Sequence, residues 1–327
     1  STISFYAVPF GFGLDQSSRW TVNVLNDYGF ETGRDIVHVF GPLGWLYYPG
    51  AVHGHLALAW TVHVLLYLFL AGGLAVFAAV TRDYLGPSLF LCFFSLLSPG
   101  RVNEMTVYSI ILAFYILEFR LPRYHFWILS AVLSAVFCFV KFNFTISLTL
   151  LLLVYTSIGW WRGTLSSRRV TAILGSFLCL VLAISLLHFS SLDHFRNWLV
   201  WSMHIAAGNS EAMSMPSSSL SRLSGMMILC ALVWMVETIR RERGMTASLI
   251  WGGLAGIIYY FEFKHGFVRG DHIYHFFQLV PLMAASGLLL HRSVRMYTAV
   301  AVIASLAMVG PHPRETPIRL RIPFAGL

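Results

Sequence analysis

Val170-Thr171-Ala172-Ile173-Leu174-Gly175-Ser176-Phe177-Leu178-Cys179-Leu180-Val181-Leu182-Ala183-Ile184-Ser185-Leu186-Leu187 runs without a charged residue, directly after Arg168 and Arg169. A helix of about 20 such residues crosses a hydrocarbon core of about 30 Å. Working outward, apolar runs bounded by charge or by Pro and Gly recur at about residues 55–80, 86–99, 104–119, 125–142, 144–160, 170–190, 223–239, 247–262, 276–291 and 296–310. The expected fold is therefore all-α: a polytopic transmembrane helix bundle of about ten spans, within a range of roughly eight to eleven, with interfacial helices in its external loops. Runs shorter than a full span, such as Ser88 to Ser98, predict tilted or broken helices shielded inside the bundle.

Composition agrees. Of 327 residues, 57% are hydrophobic and only 11% charged, with a mean hydropathy of +0.71. That balance excludes an ordinary soluble domain. The net charge of +8 does not imply nucleic acid, because the basic residues sit in short clusters between apolar runs. Cys92, Cys138, Cys179 and Cys230 all fall within apolar segments and far apart, which indicates neither a zinc site nor a disulfide framework. The chain begins at Ser1 without a signal-peptide pattern.

Charge also orders the loops. Arg82, Arg120, Arg123, Arg162, Arg168, Arg169, Arg240, Arg241, Arg243, Arg292 and Arg295 crowd into five short loops and belong on the cytoplasmic side. An alternating path then places residues 1–54, 100–104, 191–222, 263–275 and the C-terminus outside. Residues 1–327 read as one membrane domain. Its parts are an external loop (1–54) with a juxtamembrane helix, spans over 55–190, an external loop (191–222), spans over 223–310 carrying the external loop 262–275, and a C-terminal segment (311–327). The segment 191–222 reads as an interfacial helix with Phe195, Trp198, Leu199 and Met203 on its apolar face, followed by a flexible stretch. His188, Glu118 and Glu237, at span ends, are expected to snorkel or pair locally.

Three stretches carry candidate chemistry. In Leu14-Asp15-Gln16-Ser17-Ser18-Arg19-Trp20, Asp15 stands at the start of a helix marked by Trp20, Val24 and Tyr28, where its carboxylate suits an N-cap and also suits a base. Gly33-Arg34-Asp35 and Gly41-Pro42-Leu43-Gly44-Trp45-Leu46-Tyr47-Tyr48-Pro49 lead into the first span, either as an aromatic belt or as one wall of a substrate groove. The densest signal is Glu262-Phe263-Lys264-His265-Gly266-Phe267-Val268-Arg269-Gly270-Asp271-His272-Ile273-Tyr274-His275, because ionisable groups at a membrane edge are expensive unless paired, hydrated or used. Lys264 and Arg269 suit a phosphate, with Gly266 and Gly270 allowing close backbone approach. Asp271 and His275, four residues apart, could share a helix face; an ion pair there is the expectation over a metal, so no cofactor is expected.

The first of these stretches resembles the membrane glycosyltransferases of the C-type fold, among them the protein O-mannosyltransferases and the aminoarabinose transferases that modify lipid A. Leu14 to Trp20 stands at the family's acidic motif, Gly29 to Asp35 at its turn, and Gly41 to Leu46 at its Pro-Leu-aromatic entry to a span. The likeness is strong over about 40 residues and otherwise rests on the many-span layout. Gln16 replaces the second acid of the family's pair, which argues against a paired-carboxylate metal role, and the family's span ahead of the first loop is expected upstream. The resemblance implies transfer of a sugar from a polyprenyl-phosphate carrier to an acceptor glycan, lipid or protein at the external face of a bacterial cytoplasmic membrane. It makes Asp15 the base, Arg19, Arg34, Lys264 and Arg269 phosphate ligands, and Asp35, Asp271 and His272 groups that orient them or touch the sugar. Asp15 and the 262–275 loop are then expected to share one external cavity. Competing readings are a lipid-linked polysaccharide ligase or polymerase using His265, Arg269 and His272, a non-catalytic subunit of a membrane complex, and a transporter. The scarcity of mid-span charge argues against the last.

Overall fold

The computed structural model describes residues 20–97, 103–212, 217–268 and 272–309. These residues form helices and connecting turns, with no named strand among them and only two isolated bridges, Thr32 with Ile36 and Phe40 with Lys141. We number the helices α1 (His55–Thr81), α2 (Leu85–Leu97), α3 (Glu104–Arg120), α4 (Phe126–Cys138), α5 (Phe142–Trp161), α6 (Ser167–His188), α7 (Leu192–Ala212), α8 (Ser219–Arg243), α9 (Met245–Val268), α10 (Ile273–Gly287) and α11 (Val294–Val309). Each apolar run became a helix, most with ends within a few residues of those expected, and α7 is the helix expected in segment 191–222. The expected external loop 263–275 is corrected: α9 runs on to Val268 and α10 begins at Ile273, because the aromatic residues Phe263, Phe267, Phe276 and Phe277 pack helix against helix there. The juxtamembrane helix is described only from Trp20, where residues 20–24 are helical and pass into a 3-10 turn at Leu25–Tyr28.

Local chemistry sets the ends. Asn103, Ser166 and Ser218 cap α3, α6 and α8 by accepting from the backbone N–H of Thr106, Arg169 and Ser221. Arg82, in the left-handed region at φ 54°, ends α1, and Asp83 then accepts from the N–H of Gly86 at 3.1 Å.

Burial is inverted relative to a water-soluble bundle. The core is α3, buried from Glu104 to Glu118, together with α10, of which only Tyr274 and Gln278 are not fully buried. Around them stand the most apolar helices, which leave large side chains such as Leu182, Leu186 and Leu187 of α6 uncovered. Four helices, α1, α5, α6 and α8, are long and apolar enough to cross a membrane. Apolar faces of this extent are stable against hydrocarbon rather than water.

The two ends of the bundle differ. At one, arginines stitch the short loops together: Arg120 donates to Leu290 O at 2.5 Å, Arg162 to Thr246 at 3.2 Å, and Arg243 to His291 at 3.2 Å. Arg292 pairs with Asp83 at 3.0 Å, and Arg169 with Glu118 at 2.8 Å. Glu237 pairs with Arg240 and Arg241 within its own helix, whereas the buried Glu118 is held from α6, across a helix boundary. At the other end, residues 20–54 lie over the bundle. Gly41 N–H donates to Val140 O, Leu43 N–H to Phe139 O and Phe142 N–H to Val39 O, at 3.2, 3.0 and 2.7 Å, while Trp198 and Ser202 of α7 both donate to His38 O at 3.0 Å.

Candidate functional site

Lys141 sits between α4 and α5 with an extended backbone (φ −150°, ψ 136°). That conformation lets it bridge to Phe40 in the overlying loop while its side chain reaches the first residue of α3. Its Nζ lies 2.5 Å from Glu104 Oε1, and the two side chains are only 12% and 4% exposed. Tyr47 donates its hydroxyl to Glu104 Oε2 in a short contact. The ammonium also faces the rings of Tyr47 and Phe40, at 5.0 and 5.7 Å from their centroids, so a cation, an anion and two aromatic faces are satisfied together.

A second group adjoins it, built by the last turns of α9 and the start of α10. His265 Nε2 and His272 Nδ1 are 3.0 Å apart. The ring of His275 lies parallel to that of His265 (11°, centroids 5.7 Å apart), and the tilted ring of Tyr274 is 4.0 Å from it between centroids. Glu262 Oε2 is 3.8 Å from His265 Nδ1, beyond hydrogen-bond range. Glu104 is within electrostatic reach of His265 and His275, and Glu262 within reach of Glu104 and Lys141. Two carboxylates, one lysine and three imidazoles thus converge where α3, α5, α9 and α10 meet the loop before α1. Both lysines of the chain, Lys141 and Lys264, stand at this end.

A third, exposed network ties the loop to α7. Arg34 forks onto Asp35 (Nη2–Oδ2 2.7 Å, Nε–Oδ1 3.1 Å) and reaches Glu31 at 3.3 Å. Glu31 in turn accepts from the Ser190 N–H at 2.5 Å, the Ser190 hydroxyl at 2.8 Å and His194 at 3.0 Å. Burial works to raise the Glu31 carboxyl, but these bonds outweigh it and hold it below the usual carboxylate range. Asp35 is lowered by its bond from Arg34 and that from the Glu31 N–H. Gly33 makes the approach possible: at φ +83° its ideal Cβ would fall 2.0 Å from His194 O.

Of the residues singled out from sequence, His265 and His272 are brought into contact, and Lys264 is exposed beside them with no ion-pair partner among the described residues. Arg34 and Asp35 pair with each other and with Glu31, which His194 of α7 also contacts. Asp15, Arg19, Arg269 and Asp271 lie outside the described residues, and so does the expected convergence of Asp15 with the 262–275 loop. Sequence reasoning missed Glu104, Lys141 and Tyr47, and assigned no substrate role to Glu262 or His275. One signal was available: Lys141 is a single cation in an otherwise uncharged stretch from Phe126 to Trp161, where an ionisable residue marks a functional site by default. Among the described residues, no group of three or more His, Cys, Asp or Glu is arranged to hold a metal ion.

Comparison with protein-family models, with curated proteins and with solved structures finds no match for this chain. The class it defines by its own geometry is an all-helical bundle with four candidate spans and a buried polar site at the end opposite its arginines.

Proposed function

We propose that this chain is a membrane glycosyltransferase of about ten spans, the shorter helices crossing within the sheath of longer ones. It transfers a sugar from a polyprenyl-phosphate carrier to an acceptor at the arginine-poor face, the outer side of a bacterial cytoplasmic membrane. The observation that carries the reading is the buried Glu104–Lys141–Tyr47 network beside His265, His272 and His275, a costly polar assembly that the fold does not otherwise require. In the reaction, the acceptor hydroxyl loses its proton to a base as its oxygen bonds to the anomeric carbon. The bond from that carbon to the phosphate oxygen breaks, and its electron pair stays with the carrier phosphate. Asp15 serves as the base, and Lys264, Arg19 and Arg269 receive the phosphate charge. Arg34 and Asp35, locked together, brace the loop against α7.

The test is reconstitution of the purified chain in vesicles with a panel of polyprenyl-phosphate sugars, reading release of free polyprenyl phosphate. Turnover of at least one donor, lost in Asp15→Asn and in Lys141→Met, is the expected result. Hydrolysis or transfer from no donor in the panel would sink the proposal.

A further inference from the structure

Three polar atoms buried at the site end have no hydrogen-bond partner among the described residues: Asn103 Nδ2, Glu262 Oε2 and His275 Nδ1. Asn103 already serves the fold by capping α3 through its Oδ1, which leaves the other two. Glu262 is 2% exposed and His275 9%. Both flank His265, the carboxylate at 3.8 Å and the imidazole in parallel stack. The neighbouring carboxylate behaves differently: Glu104 has both oxygens engaged, one by Lys141 and one by Tyr47. Polar atoms this deeply buried are almost always bonded, because leaving one unmade costs its full desolvation. Here two of the unmade bonds flank the same imidazole, His265, one from α9 and one from α10.

The chemistry of the pair selects what would satisfy it. A carboxylate oxygen only accepts, and it repels phosphate. An imidazole nitrogen donates or accepts according to its tautomer. Hydroxyl groups, which both donate and accept, fit the two together. Lys264, two residues beyond Glu262 in the same turn and so on the opposite, exposed side of α9, offers a cation for a phosphate at the outer margin instead. We infer that Glu262 and His275 form the subsite that recognises hydroxyl groups of the transferred sugar. The inference rests on the glycosyl-transfer reading and specifies which part of the donor goes where: sugar inward on Glu262 and His275, carrier phosphate outward beside Lys264.

The experiment uses the full chain in nanodiscs of phosphatidylethanolamine and phosphatidylglycerol, titrated with two probes. One is the polyprenyl-phosphate sugar that wild type binds best from a panel of hexoses and pentoses, and the other is polyprenyl phosphate bearing no sugar. Melting temperature is read in parallel. Glu262→Gln and His275→Gln should each weaken binding of the glycosylated carrier by roughly tenfold or more, the worth of a hydrogen bond to a charged group. Affinity for the bare carrier should stay within about twofold, and the melting temperature of the unliganded protein should hold, since glutamine keeps a polar side chain of similar size at each position. Equal weakening toward both carriers would place the residues at the phosphate, and unchanged binding would leave them satisfied by solvent alone. A lower melting temperature with unchanged binding ratios would assign them to the fold. Any of these three results overturns the inference while leaving transfer itself intact. If wild type binds neither carrier, the glycosyl-transfer reading fails and takes the subsite with it.

Discussion

Lys141 and Glu104 stand 37 positions apart in sequence and meet only because α3 begins beside the α4–α5 junction. A buried pair of this kind is fragile to the loss of one member, because the survivor keeps its charge without its partner. We expect Lys141→Ala to lower unfolding stability by roughly 3–5 kcal/mol. The double change Glu104→Gln with Lys141→Met should recover most of that and none of the proposed transfer activity. Denaturation in detergent checks the first, and a Lys141→Ala protein as stable as wild type would refute it. Glu31 sets a pH dependence of known sign. Its carboxyl is depressed in the folded protein, so its contribution is present above the ordinary carboxylate value of about 4.3 and is lost as pH falls through the lower folded one. Hydrogen exchange of residues 31–36 should therefore accelerate on acidification below about pH 4, and Glu31→Gln should exchange fast at neutral pH already. If acid leaves wild-type exchange unchanged, the bonds to Ser190 and His194 do not hold the loop.

At the scale of elements, the loop before α1 is positioned by close backbone contact, and glycine permits it. An ideal Cβ at Gly41 would lie 2.3 Å from Phe139 O, whereas one at Gly163 meets nothing within 4 Å despite φ +69°. Gly163→Ala should thus cost about 1 kcal/mol, and Gly41→Ala several times more, with the proposed transfer lowered as well because Phe40 and Tyr47 line Lys141. Equal melting shifts in the two variants would contradict the contact. The same comparison explains what sequence could reveal. Helices were legible because apolar runs end at charge, Gly or Pro, all local signals. How many of them cross was not, because α3 and α10 lie inside a protein sheath that frees them from the usual length requirement. Within the 262–275 stretch, the density of ionisable residues pointed to His265 and His272. Glu104 gave no comparable sign, since an acid in the first turn of a helix also serves the helix dipole, and its partners come from three other parts of the chain.

For the molecule as a whole, charge is partitioned by end. Eleven arginines occupy the five short loops against Asp83, Glu118, Glu237 and Glu242 at the same end, a difference of 11 − 4 = 7 positive charges. Such a face favours a leaflet of anionic headgroups. We expect a higher melting temperature in phosphatidylglycerol nanodiscs than in phosphatidylcholine ones, with the gap closing as salt is raised toward 1 M; a gap insensitive to salt would count against headgroup charge as its cause. The arginines leave the opposite face with the chain's two side-chain amines. Lys264 is exposed, while Lys141 is shielded by Glu104. An acylating reagent that cannot pass a bilayer should therefore place its side-chain adduct on Lys264 when applied from the site face, and on no side chain when applied from the other, since guanidinium does not react. Peptide mass mapping of sealed vesicles would then report, in one modification, which way the protein is inserted and whether a bound carrier covers that lysine.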